Sequence, residues 1–265
     1  MVGPGLIQRI ENPERSVLRD CLEEACDLSR RRLREWGFSG VSDGILRRMS
    51  YTYYHDGSSN PDIAFIVQDP GPLQKRHTEQ FNRISRAGQN YGELVGAYRE
   101  FAKSWLRRRN ADFSEQFFSE LDRSGLLDLD GSVDAYLERG HLFEDIYLTD
   151  VVKYRIDGPT TTQTSASIDA FLCDELREIS PDIVFVFGGD AWEAVYRRFR
   201  LVRVTNEPVD ASKTMDVHGA VFRLTGPFET TVIPLAHMSG QVWYRFPPEE
   251  YIERLSEALR GTDLG

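Results

Sequence analysis

The residues best suited to chemistry in this chain stand where short apolar runs stop. Gln68 and Asp69 follow Ile63–Val67. Thr149, Asp150 and Lys153 follow the apolar start of residues 145–155, and His237 and Ser239 come just after Thr230–Leu235. Two carboxylates and an imidazole around one crevice can act as general acid and base, or stabilise charge that develops in a transition state. The same groups can bind a metal, but the closely spaced ligand pairs of metal sites are missing, so no metal is expected. There is no P-loop, no GxGxxG after a strand and no GxSxG turn, and Phe187-Gly188-Gly189-Asp190 lacks dinucleotide spacing. Each group also has an ordinary structural reading. Asp69 can be an acidic loop residue, Asp150 a helix cap or ion-pair partner, and His237 a packed loop histidine.

What would bring these groups together is the arrangement of the runs. Ile63–Val67, the start of 145–155 and residues 182–189 are continuous apolar stretches bounded by Pro, Gly and Asp, as expected for strands buried on both faces. Residues 217–224 and Thr230–Leu235 read as a further strand pair around Gly226-Pro227. Helical spacing of apolar residues covers about 13–36, 91–108, 113–121, 168–179 and 248–259, and Asp190 is placed to cap a helix over 191–199. Residues 45–54 fit helix or strand, 1–13 read as loose, and 157–167 as a flexible polar linker. No internal repeat is visible. This alternation predicts a three-layer α/β/α fold with a central, mainly parallel sheet and an N-terminal helical extension. The division expected is an extension over 1–58 and an α/β/α domain over 59–260, with a helical insertion at about 73–143. Strands of one parallel sheet end on one edge, where ligands bind.

Bulk properties narrow the classes. The 265 residues carry 42 acidic and 32 basic side chains, a net charge of −10, with lysine only at 75, 103, 153 and 213. Such a surface excludes a broad nucleic-acid-binding face but allows a local basic groove. An acidic, lysine-poor chain suits a high-salt cytoplasm, and GC-rich coding explains the arginine bias equally well. Cys21, Cys26 and Cys173 form no CxxC and no disulfide framework, which points to a reducing compartment. No run reaches transmembrane length and no signal-peptide core is present, so the expectation is a cytoplasmic protein without membrane association.

In order and context the strand exits resemble the uracil-DNA glycosylase superfamily. Gln68-Asp69-Pro70 resembles the GQDPYH motif of one branch. Pro70-Gly71, Leu148-Thr149-Asp150-Val151-Val152-Lys153 and His237-Met238-Ser239 resemble the GEAPG, TNVVK and HPS motifs of the iron–sulfur branch. The segment from Ile168 through Pro181 to Ala191 resembles the region between the last two motifs, so the likeness spans roughly 60–258. It implies a hydrolase that excises a deaminated or damaged base, uracil or a related one, from DNA as a monomer in base-excision repair.

By that resemblance Asp69 stabilises the sugar cation and orients water, while His237 donates a hydrogen bond to the leaving base. Gln68, Asp150 and an aromatic, Tyr91 or Phe81, hold the base. Ser239 and Arg245 contact DNA phosphates, and Lys153 and Arg155 rim the DNA-binding groove. The chain departs from the family at several places. Asp150 stands where the strand motif has Asn, whose amide reads uracil, and an ionised carboxylate can only accept hydrogen bonds. Met238 replaces Pro. Gly71 and Pro72 stand where the first branch has Tyr and His. Tyr154 occupies a cluster-cysteine position and Cys173 is alone of its set, so no iron–sulfur cluster and no other cofactor is expected. The alternatives are a non-catalytic superfamily member that binds DNA or nucleotides, and an unrelated small-molecule α/β enzyme.

Overall fold

Four short apolar runs form the centre of the molecule in a computed structural model. The structure describes residues 4–51, 61–68, 82, 86, 111–139, 142–204, 212–226, 228–237 and 247–262. The runs are β1 (Ile63–Val67), β2 (Ile146–Asp150), β3 (Ile183–Phe187) and β6 (Thr230–Leu235). They are rich in β-branched and aromatic residues, which pack well on a pleated surface. Two three-residue strands, β4 (Leu201–Arg203) and β5 (Phe222–Leu224), complete a sheet of order β2-β1-β3-β6-β5-β4. β2, β1, β3 and β6 are parallel, and β5 is antiparallel to both its neighbours. Val67 pairs with Asp150 and Phe187 with Leu235, so the parallel strands end level.

Side chains alternate between two helical layers. Ile63, Phe65, Phe185, Phe187, Ile233 and Leu235 face one core. That core also takes residues of α3 (Asp43–Met49), α4 (Ala111–Arg123), α5 (Val133–Arg139) and α11 (Pro248–Arg260). Phe65 meets Phe117, Phe185 and Phe187 edge-on, with centroids 5.9, 5.7 and 5.1 Å apart. Ala64, Ile66, Val184, Val186 and Val232 face the other core. Residues of α1 (Pro4–Glu11), α2 (Ser16–Glu35), α7 (Thr161–Ser167), α8 (Cys173–Ile179) and α9 (Gly189–Arg198) cover it. Two one-turn helices, α6 (Leu142–Asp145) and α10 (Thr214–Val217), lead into β2 and lie between β4 and β5. This is the expected three-layer α/β/α architecture with N-terminal helices ahead of it.

Several local expectations change. Residues 4–11 are helical rather than loose. The ambiguous 45–54 region begins as helix α3, capped by Ser42, which accepts from the Ile45 N–H; Tyr51 then bridges Tyr154. The strand expected through residue 155 stops at Asp150. The linker is no linker: Thr160 and Gln163 form a reciprocal capping box that starts α7. A π-helical turn, Ile168–Leu172, joins α7 to α8. Gly188, not Asp190, is the N-cap of α9. Residues 217–224 end α10 and form only the short β5, while β4 is a strand that the sequence pattern did not suggest. The 91–108 helix and residues 73–110 of the expected insertion, apart from 82 and 86, lie outside the described residues.

Among the described residues the N-terminal helices have no core of their own. Leu6, Ile10, Leu18, Leu22 and Ala25 are buried with Tyr154, Phe171 and Leu172. The Tyr154 hydroxyl donates to the Ile10 carbonyl at 2.8 Å, and the Arg155 N–H donates to the Ser50 carbonyl at 2.8 Å. The extension is therefore bonded directly to the segment that leaves β2. No helix among the described residues is long and apolar enough to cross a membrane.

Candidate active site

The level ends of β2, β1, β3 and β6 put Asp150, Gln68, Gly188 and His237 on one edge of the sheet. Order β2-β1-β3 also places a topological switch at β1, the usual position of a ligand crevice in open α/β sheets. Pairing of β1 and β2 runs slightly past the strands. The Val151 N–H donates to the Val67 carbonyl at 2.8 Å, and the Val152 N–H to the Gln68 carbonyl at 2.9 Å. These bonds hold the Gln68 backbone and leave its side chain partly exposed. Gln68 and Val151 also border a cavity of about 360 Å³ whose other walls include Thr164, Asp190, Glu193 and Arg197. Its size falls within the range of small-molecule sites.

Asp150 ends β2 and is 1% exposed. Its carbonyl accepts a 2.9 Å hydrogen bond from the Lys153 ammonium, which also meets Thr149 Oγ1 and Glu175 Oε2, the latter at 2.7 Å. The Thr149 hydroxyl donates to the same Glu175 oxygen at 3.0 Å. Lys153 is 2% exposed and Arg155 3%. Both side chains are buried, and Lys153 is engaged by a carboxylate on α8. Asp69, Tyr91, Phe81, Ser239 and Arg245 lie outside the described residues.

His237 stands two residues past β6 and is partly exposed. It lies against Gly188, whose φ of +95° and ψ of 159° belong to a region essentially reserved for glycine. A Cβ at Gly188 would sit 3.4 Å from His237 Cβ and 3.6 Å from Cδ2. The Gly188 N–H donates to the Leu235 carbonyl at 2.8 Å, and its own carbonyl accepts from the Trp192 N–H and the Thr214 hydroxyl. Gly188→Ala is therefore expected to cost about 1–3 kcal/mol of stability through backbone strain and to displace the imidazole. Chemical denaturation, together with the His237 ring resonances, checks both effects.

Sequence reasoning missed two residues beside this exit. The Ala236 N–H donates to His218 Nδ1 at 3.1 Å, and the Tyr251 hydroxyl donates to the Ala236 carbonyl at 2.9 Å. Burial, with Arg254 nearby, lowers the His218 pKa from 6.5 to about 3, and burial raises that of Tyr251. His218 gave no signal because it stood within a stretch read as strand. Tyr251 looked like one more apolar residue of a terminal helix.

Cys21, Cys26 and Cys173 are free thiols, all raised in pKa mainly by burial, Cys21 to about 11. Among the described residues, no group of three or more His, Cys, Asp or Glu side chains could hold a metal ion.

A sequence model described as the uracil DNA glycosylase superfamily matches residues 54–260, well over half of the chain. The protein belongs to that superfamily. No curated protein matches it. The matched region begins after α3, so α1, α2 and α3 lie outside it.

Proposed function

We propose that the protein hydrolyses the N-glycosidic bond of a deaminated or damaged base, uracil or a related one, in DNA. The observation that supports this reading most is the shared exit of Gln68, Asp150 and His237 at one sheet edge in a chain of this superfamily. A base flipped from the stack would enter that edge at a cost of a few kcal/mol of unstacking. The C1′–N bond then lengthens, and the sugar gains cationic character while the base gains negative charge. His237 donates a hydrogen bond to the carbonyl oxygen of the departing base, and backbone N–H groups near Gln68 support the same oxygen. Asp69 stabilises the sugar cation and accepts the proton of the water that adds to C1′. The products are the free base and an abasic site. Ser239 and Arg245 contact the phosphates, and Tyr91 or Phe81 stacks on the base.

Asp150 sets the preference among bases. An ionised carboxylate repels the O4 of uracil and accepts from an exocyclic amine; a protonated one can donate to O4. Asp150→Asn is expected to shift relative excision toward uracil by about tenfold or more, because a site left with an unpaired polar group rejects its ligand strongly. The assay uses oligonucleotides with uracil, hypoxanthine or xanthine, and follows alkali-cleaved abasic sites on a gel. Unchanged selectivity would remove Asp150 from base reading.

The presence of Asp150 at this position favours one second reading, a non-catalytic member that binds DNA or nucleotides. Retention of the same oligonucleotides on a native gel without any cleavage would support it.

A further inference from the structure

β5 pairs with β6 only over Thr230–Val232. Beyond that point the β5-facing side of β6 presents Pro234 and Ala236, with no strand alongside among the described residues. Pro234 has no N–H to leave unmet, as suits an open position. The Gly219 N–H donates to the Pro234 carbonyl at 2.9 Å. His218 and Tyr251 then take both polar groups of Ala236, so two side chains from separate elements satisfy this peptide. Their rings touch, with centroids 4.2 Å apart, and both residues are buried. The turn that carries His218 is wedged in place. Gly219 has φ +75°, and a Cβ there would meet Arg254 Cβ at 2.9 Å and its carbonyl oxygen at 3.0 Å.

We infer that His218 and Tyr251 are positioning residues, which lock the Ala236 peptide groups and so aim the adjacent His237 imidazole over the sheet edge. This inference rests on the reading that His237 assists the leaving base. Ala236 joins directly to His237, and Gly188 sits against the imidazole from the β3 side, so the clamp and the glycine fix the residue from two directions. With its pKa near 3, His218 stays neutral at ordinary pH, and its Nδ1 lone pair remains available to the Ala236 N–H. A misplacement of about 1 Å at a reacting group can cost about a hundredfold in rate, so a clamp one residue away has leverage.

The experiment compares His218→Phe, His218→Asn and Tyr251→Phe in the full chain, each alone and combined with His237→Ala. Single-turnover excision of uracil from an oligonucleotide is one readout. The His237 ring resonances and their pH titration by NMR are the other. His218→Phe is expected to slow excision about 10- to 100-fold, and His218→Asn to recover most of it, since its amide oxygen can accept from Ala236. In the His237→Ala background His218→Phe should add no further loss, as expected for coupled residues. His237 signals should move in His218→Phe and Tyr251→Phe and return toward wild type in His218→Asn. An equal loss with and without His237 would overturn the inference, as would unmoved His237 resonances in a folded variant. If wild type excises no uracil, the glycosylase reading is at fault for that base, and the clamp is judged on the resonances alone. Should His218→Phe fail to fold, Tyr251→Phe carries the same comparisons.

Discussion

Glu175→Ala is expected to be among the most destabilising single substitutions in the protein, at about 3–5 kcal/mol. Glu175 and Lys153 are each 2% exposed and bonded at 2.7 Å, so deleting the carboxylate strands an ammonium in the core. Against a total stability of about 5–15 kcal/mol for a globular protein, that loss takes up a large share. The damage should extend to the sheet edge. Lys153 also donates to the Asp150 carbonyl, and Thr149 shares the Glu175 oxygen. A paired replacement, Glu175→Leu with Lys153→Met, should recover most of the stability, because an apolar pair of similar volume escapes the desolvation penalty. Urea unfolding of the single and double variants measures both. A single-variant loss below about 1 kcal/mol would mean that water reaches the pair.

The second large effect concerns chemistry rather than folding. His237→Ala is expected to lower the excision rate about 10²- to 10³-fold, the usual consequence of removing one preorganised donor from a developing negative charge. The residue is partly exposed at a chain exit, so stability should change by less than about 1 kcal/mol. The loss should fall on kcat and on kcat/KM alike, since the hydrogen bond strengthens only as the base departs. An increase in KM alone would recast His237 as a binding group.

These two sites show what was legible in the sequence. The runs Ile63–Val67 and Ile183–Phe187 declare strands because both faces are buried, and their exits could be named from the polar residues that follow. That much placed Gln68, Asp150 and His237 at one edge. The Lys153–Glu175 pair was not legible, because Glu175 lies far along the chain on α8 and only the packed sheet and helix bring the two together. The stretch Thr161–Ser167 has no apolar period, although Thr160 and Gln163 already carried the spacing of a capping box. β4 and β5 are three residues each, too short for alternation to register. The His218 and Tyr251 contacts to Ala236 join residues 18 and 15 positions away across a turn and a helix, and no local pattern encodes such a meeting.

The central claim is hydrolysis of a glycosidic bond at this edge. Mass spectrometry of single-turnover reactions on uracil-, hypoxanthine- and xanthine-containing oligonucleotides reads it directly. Wild type should release a free base and leave an abasic strand from at least one of them. Asp69→Asn and His237→Ala should each cut that release by about a hundredfold or more. Intact strands and no free base from all three substrates, over a range of salt, would contradict it.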